Sequence, residues 1–451
     1  MHNCDSYFAQ HRDRFFSEWV ELLRFKSISS DRAYRDDCEA CAQWLQTHLK
    51  DVGFETHLWA SDSLPLVFGS MRGNPAKPTV LIYGHYDVQP PEPLDLWVSG
   101  PFEPSVRGGR MYARGAQDNK GQLFAIIKAL EALKGAGVDL PTVKLLIEGE
   151  EESGSGALTR GISKWGSNLK ADILAVADTL QVAPHTPTIT MGLRGIAKCE
   201  VEVCGPAYDL HSGLYGGVVL NPLQALSKML AALHNEDGSV AVPGFYDGVA
   251  LPSAEDRAHA QSAPIDYEKM STDLGVALCG GERALPAVER RGFRPTLEIN
   301  GIGGGHQGPG GKTVIPAKAF AKLSMRLAGG QVPEETLRKV TAFIEASAPE
   351  GVRVSVTGAS VGGAAFQLST SSAVVRKGRE AIRRGFDKEA VLLWEGASVP
   401  IIPLLAEAAG AEPLLVGFGL EEDLIHSPNE SFSLEQFEQV FRYTVSLLQV
   451  L

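Results

Sequence analysis

The stretch Pro78-Thr79-Val80-Leu81-Ile82-Tyr83-Gly84-His85-Tyr86-Asp87-Val88 decides the fold and opens the question of function. Val80–Tyr83 is apolar throughout, the pattern of a central strand covered on both faces rather than of a strand with one wet side. It runs into a glycine, then into a histidine with a carboxylate two positions on. In an extended chain, residues i and i+2 point to one side. Asp87 can therefore orient the His85 imidazole and raise its basicity, the support that metal-ligating histidines usually find. A single strand-end histidine is most often structural, so its surroundings decide what it does.

Beyond this strand, Gln122–Leu133 carries apolar residues at helical spacing, and strand patterns return at Val143–Glu150 and Ala171–Asp178. On the N-terminal side, Phe15–Phe25 and Cys41–Phe54 read as two amphipathic helices, the second stopping at Gly53; short β-type runs follow. Strands alternating with helices argue for an α/β fold with a mixed, mostly parallel sheet flanked by helices. Near Met191 the character changes. Gly195–Gly205, Arg294–Gly301, Ala321–Gly330 and Val352–Gly358 alternate or carry β-branched residues, and Pro333–Ala346 is a helix with its proline and acids at the start. These read as an α+β unit with an antiparallel sheet. The α/β signature returns in Ala390–Ser398, Pro413–Gly419 and the helix Leu434–Gln449. The simplest organisation is a catalytic domain, residues 1–190 and 385–451, interrupted by an inserted domain, residues 191–384.

Length and composition narrow the function. A chain of 451 residues is too long for one ordinary core and suits two domains. With 44% hydrophobic and 21% charged residues it can fill those cores. The 54 acidic against 42 basic residues leave a net charge of −12, which speaks against nucleic acid or an anionic membrane as partner. No apolar run reaches the ~20 residues of a membrane span. The stretch from Met1 to Phe16 lacks the apolar centre of a secretion signal, so a cytoplasmic location is expected. Six cysteines are too few for a disulfide framework at this length, and Cys38 and Cys41, three apart in a helical pattern, read as small buried hydrophobes.

Five polar segments stand at the ends of the expected strands, where α/β sheets place their ligands. The first is Gly84–Asp87. Arg114–Gly121 crowds Arg, Asp, Asn and Lys into a glycine-flanked loop that opens a helix, where an Asp is commonly only an N-cap. Glu150-Glu151-Glu152 leaves a buried-looking strand for a turn of small residues, although an acidic triplet is usually just solvated. Asp178 ends the strand Ala171–Asp178, and His426 precedes the last helix. Alone, each is weak. Together, His85, Asp118, Glu152, Asp178 and His426 offer nitrogen and oxygen donors without thiolate. That set suits two ions of Zn²⁺, Mn²⁺ or Co²⁺ rather than a cysteine-rich structural zinc. Two divalent ions are balanced by three carboxylates and one hydroxide. Glu151 is then left free as general base for a metal-assisted hydrolysis.

The motifs GHYDV, RGAQDNKG and EGEEESGS, with Asp178 and the His426 segment, resemble the co-catalytic dinuclear zinc metallopeptidases of the carnosinase, cytosolic non-specific dipeptidase and acetylornithine deacetylase type. The resemblance is closest to the dipeptidase branch, through PAYDLHSGLYGG, GGKTVIPAKAFAKLSMRL and EGASVPI. It implies two divalent ions per subunit, zinc first and Mn or Co next. His85 and Asp178 would hold one ion, Glu152 and His426 the other, with Asp118 bridging. It implies Asp87 as orienting acid, Glu151 as general base and a cis Asp118–Asn119 bond. It implies an inserted domain that serves as lid and dimerisation surface, in a homodimer where His211 reaches the partner's site and steadies the oxyanion. Arg326 is then the grip on the substrate's terminal carboxylate, which a guanidinium fork suits geometrically. Thr313 and Ser398 are neighbouring substrate contacts. The implied activity is metal-dependent hydrolysis of peptide bonds in dipeptides or other short peptides. An N-acyl-amino-acid deacylase or a carboxypeptidase of the same chemistry is the alternative.

Two glycine-rich stretches are set aside. Gly303–Gly308 has the spacing of a dinucleotide fingerprint, yet PGGKTVIP with its two prolines follows it instead of a helix. Gly311-Lys312-Thr313 ends like a phosphate loop, but His306 stands where the first glycine is required. The departure from the dipeptidases is Gly358–Leu368, which lacks the histidine- and tryptophan-containing segment often found there; because the lid shapes the pocket, this leaves the substrate's side chains open.

Overall fold

The structure, a computed structural model, describes residues 2–451. The chain divides into two units. Unit 1 holds the residues up to Met191 with Leu368–Leu393 and Leu404–Leu451; unit 2 holds Gly192–Gln367 and Trp394–Pro403.

Unit 1 is built on a sheet of strands in the order Glu55–Trp59, Leu66–Met71, Val143–Glu148, Val80–His85, Ile173–Val176, Glu412–Gly417 and Thr188–Leu193. The middle four run parallel, and the outer pairs are antiparallel. Val80–His85 is buried at every position, with Val80 registered against Val143 on one side and Ile173 on the other. This is the central, doubly covered strand that its unbroken apolar run dictates. The helix Lys120–Gly135 covers its end. Gly84 makes that approach possible: a Cβ there would lie 3.0 Å from Asn119 Oδ1 and 3.1 Å from Leu123 Cδ1.

The two N-terminal helical patterns form the helices His2–Leu23 and Arg35–Val52. The second ends where Gly53 turns left-handed, at φ 103°, and bonds back to the Leu49 and Lys50 carbonyls. Cys38 and Cys41 are fully buried on that helix, and burial pushes the Cys38 thiol up to about 12. No helix among the described residues is long and apolar enough to cross a membrane.

Unit 2 carries a four-stranded antiparallel sheet in the order Thr296–Gly304, Lys318–Leu327, Gly195–Cys204 and Arg353–Gly363. Along Lys318–Leu327 buried and more exposed positions alternate, so Ala319, Ala321, Leu323, Met325 and Leu327 face one core. The same core takes Leu226 and Leu230 of the helix Pro222–Ala231 and Val340 and Ile344 of the helix Pro333–Ala346. Each such side chain contributes about 1.5–3 kcal/mol on burial. Three short helices, Ala254–Ser262, Tyr267–Leu274 and Ala287–Phe293, add a layer that the sequence pattern did not announce.

The division between units differs from the expected boundaries at its second crossing. The helix Ala373–Phe386, expected at the end of the inserted domain, belongs to unit 1, and Trp394–Pro403 returns to unit 2. Gly378 of that helix sits against Leu414 and Ile189 of the large sheet. An amphipathic helix shows that it has a partner; its periodicity does not say which core supplies it.

Candidate active site

The chemistry gathers in unit 1, at the carboxyl ends of the four parallel strands. His85 ends the first of them. The strand Val143–Glu148 leads into the turn carrying Glu151 and Glu152, and Ile173–Val176 leads into Asp178. Glu412–Gly417 leads into the loop of His426. Asp118 enters from the loop before Lys120–Gly135, across a cis peptide bond to Asn119.

His85 Nε2 lies 3.2 Å from Asp118 Oδ1 and 3.7 Å from Asp178 Oδ2. His426 Nε2 lies 3.1 Å from Asp118 Oδ2 and 3.3 Å from Glu152 Oε2. The five side chains thus form two groups of three that share Asp118, each with donor atoms within 4.8 Å of one another. His85 is fully buried, whereas His426 is half-exposed and left-handed at φ 60°. Leu424 and Asn429 are left-handed as well, so the His426 loop is wound tightly.

Asp87 does more than orient an imidazole. Nδ1 of His85 donates to the Asp87 main-chain carbonyl at 3.0 Å, and the Asp87 carboxylate lies at 3.4 Å. That carboxylate also accepts from the Glu151 and Glu152 backbone N–H groups, at 3.2 and 3.1 Å, and from Ser29 Oγ at 2.6 Å. Asp87 therefore fixes His85 and the acidic turn together.

Three supporting residues act on partners that the sequence does not announce. Glu430 accepts from the backbone N–H groups of Gly115, Gln117 and Asp118, at 2.9, 3.0 and 3.1 Å, and from the Arg114 guanidinium at 2.7 Å. It clamps the loop that presents Asp118. Asn119 donates to Asp178 Oδ1 at 2.7 Å, and Gln89 donates to Glu152 Oε2 at 2.8 Å. Asn119 and Glu430 stand inside recognisable motifs, but nothing in one sequence says which strand end they face.

Charge explains what the cluster can hold. Asp87, Asp118, Glu151, Glu152 and Asp178 face two imidazoles, and no Lys or Arg among the described residues forms an ion pair with them. The titrations follow. Burial, together with Asp118 and Glu152 and against His85, pushes Asp178 up to about 7. Burial, with Asp178, Asp118 and Glu152 and against His85, raises Glu151 well above the carboxylate range. Hydrogen bonds that His426 donates to the Asp118 and Glu152 carboxylates hold it protonated up to about 10. An oxygen- and nitrogen-rich set with excess negative charge and no thiolate fits two divalent cations.

Four further expected residues lie in unit 2. His211 pairs with Val314 in a two-stranded ribbon, and the Ser212 N–H donates to the Thr313 carbonyl at 3.0 Å. Nδ1 of His211 accepts from the Gly213 N–H at 3.0 Å, so its neutral ring keeps the proton on Nε2. Arg326 donates to Ser398 Oγ at 2.9 Å, and that hydroxyl donates to the Arg194 carbonyl. The hydroxyl of Ser398 thereby holds Arg326 in place.

Two adjoining groups of candidate metal ligands at the strand ends of an α/β domain are what a dinuclear metallohydrolase requires. The chain belongs to peptidase family M20/M25/M40, whose sequence pattern matches residues 81–450. It is 31% identical to the Cys-Gly metallodipeptidase dug1 of Schizosaccharomyces pombe, over 94% of this chain and 93% of that one. It is 30% identical to the human Beta-Ala-His dipeptidase, over 95% of this chain and 88% of that one. The structure of the M20 family metallo-carboxypeptidase Sso-CP2 from Sulfolobus solfataricus superposes with a TM-score of 0.86, at 29% identity, covering 97% of this chain and 98% of that one.

Proposed function

We propose that the protein hydrolyses the peptide bond of dipeptides and other short peptides. The observation that carries this is the shared Asp118, flanked by His85 with Asp178 and by His426 with Glu152, with Glu151 beside them in no ion pair among the described residues. Those five side chains would hold two divalent ions, zinc by preference. When bound, the ions lower the pKa of a shared water and polarise the scissile carbonyl.

The remaining work falls to side chains. Glu151, steadied through its backbone by Asp87, takes one proton from the attacking water and returns it to the leaving nitrogen as the C–N bond breaks. One water is consumed, and a carboxylate and an amine are released. Nε2–H of His211, from the partner subunit of a homodimer, donates to the oxyanion. Arg326, held by Ser398, takes the C-terminal carboxylate and so sets substrate length. Unit 2 serves as lid and dimerisation region. The six free cysteines fit a reducing, cytoplasmic setting.

A second reading, a carboxypeptidase acting on longer chains or acylated amino acids, is favoured by the likeness to Sso-CP2. One experiment separates them. Metal-stripped protein is reloaded with Zn²⁺, Mn²⁺ or Co²⁺ and offered dipeptides, a tripeptide and N-acetyl amino acids. Dipeptide cleavage that returns with metal supports the proposal. Cleavage of only the longer or acylated substrates replaces it with the second reading, and no metal dependence overturns both.

A further inference from the structure

Unit 2 carries an open cavity of about 380 Å³ lined by Arg194, Arg290, Arg291 and Arg294, in a chain whose net charge is −12. Only Arg294 is neutralised there: it grips Glu282 with two hydrogen bonds, of 2.6 and 2.8 Å. Arg194 donates to the Gly396 carbonyl at 3.0 Å and to the Arg294 carbonyl at 3.3 Å. Arg290 donates to the Leu278 carbonyl at 2.9 Å and to the Gly280 carbonyl, while its Nε is buried without a partner among the described residues. Arg291 lies against the Tyr267 hydroxyl. The lining's other acid is Glu298. Three guanidiniums therefore share one carboxylate. Carbonyls satisfy N–H groups but do not cancel charge, and clustered guanidiniums are best matched by carboxylate or phosphate oxygens. Burial first, then Arg326 and Arg291 against the opposing Glu298, pushes Arg194 down to about 10.

The cavity borders the proposed peptide grip. Thr296 lines it and is the direct cross-strand partner of Arg326. Opposed side chains of antiparallel strands begin only about 5 Å apart. The volume lies in the ~300–1,000 Å³ range of small-molecule sites.

We infer that this cavity binds a small anion bearing carboxylate or phosphate oxygens, held by Arg194, Arg290 and Arg291. Two sources share that chemistry: an acidic side chain on a substrate anchored at Arg326, and a free anionic metabolite. The first rests on the dipeptidase reading; the second does not.

Inorganic phosphate and glutarate are titrated calorimetrically into the metal-loaded, full-length protein and into its Arg291→Glu and Arg290→Gln variants. Arg291 is exposed and holds no carbonyl, so its substitution leaves the fold intact, which melting curves verify. Binding to the wild type, and at least about tenfold weaker binding to Arg291→Glu, is the expected result. Absence of binding to the wild type overturns the site. So does binding to both variants as strong as to the wild type, which anions at the metal centre would produce. Kinetics then separates the sources. If a substrate side chain is the occupant, Ala-Glu and Ala-Asp have a lower KM than Ala-Ala in the wild type alone, and glutarate competes with Ala-Glu. If a free anion is the occupant, the KM values match and glutarate binds without competing. Should no dipeptide be cleaved, the dipeptidase reading fails while the titration still judges the cavity.

Discussion

Unit 1 contains two clusters that look alike as lists of donors and behave as opposites. One is the pair of groups around Asp118. The other is Glu18, His48 and Glu131, whose donor atoms also lie within 4.8 Å of one another. In the second, the chain supplies its own cation. Lys128 Nζ lies 2.7 Å from His48 Nε2 and 2.9 Å from Glu131 Oε2, and it also pairs with Glu18. Arg14 bridges the same two glutamates, and Lys128 stands over the Phe15 and Phe124 rings, at 5.1 and 4.8 Å. Two carboxylates meet two cations, and nothing is left for an ion to neutralise. Around Asp118, five carboxylates meet two imidazoles, and the missing charge has to come from outside. Donor spacing is shared by both clusters; charge balance separates them.

The comparison breaks first at its shared ligand. Asp118→Ala should empty both metal positions and lower kcat by ~10⁴-fold or more, since it removes the one carboxylate common to both groups. Glu131→Gln should leave metal content and kcat unchanged. Elemental analysis with steady-state kinetics checks both, and metal lost from Glu131→Gln would mean that the second cluster is occupied after all. Next comes the base. Glu151→Gln should keep both metals and lose roughly 10²–10⁴ in kcat; near-normal turnover would take Glu151 out of proton transfer.

A smaller effect sharpens the role of the internal cation. Lys128→Met should cost about 1–3 kcal/mol, because it leaves the half-buried Glu18 and Glu131 with Arg14 alone. Added Zn²⁺ should then raise the melting temperature of the variant beyond its effect on the wild type, as a third site forms. An equal rise in both would show that the remaining donors cannot close around an ion.

The smallest effect is a pH dependence. Burial, together with Lys128, holds His48 neutral down to about 4 in the folded chain, against about 6.5 when unfolded. The unfolded chain therefore binds more protons in between, and stability falls as pH drops from about 6.5 to about 4, by about 3 kcal/mol in all. His48→Gln keeps an acceptor for Lys128 and removes the titration, so its denaturation midpoint should vary less over that window. A parallel pH dependence in both proteins would place the proton elsewhere.

Much of this is legible in the order of residues alone. The unbroken apolar run Val80–Tyr83 demands a strand covered on both faces, and it is the central one. Gly53 has to end a helix and does, with a positive φ. His85 ends a strand, Glu152 and Asp178 lie just past strand ends, Asp118 and His426 lie in loops, and the five converge. Other features are silent. Glu430 reads as one more acid in a polar loop, yet it clamps the loop that presents Asp118. Lys128 reads as the polar position of an amphipathic helix, yet it is buried, because two other helices bring it Glu18 and His48 while its own supplies Glu131. The helix Ala373–Phe386 shows its apolar stripe but not the core it serves.

The sequence by itself determined the periodicities, the order of strands and helices, and the residue types that can ligate a metal or move a proton. These are local properties, fixed by backbone geometry and side-chain chemistry. Only the tertiary structure decided which charges lie within a few ångströms of which. Electrostatic energy falls with distance through space, not along the chain. Residues more than 300 positions apart, such as Asp118 and His426, become one site, while an equally plausible trio around His48 becomes a neutral core.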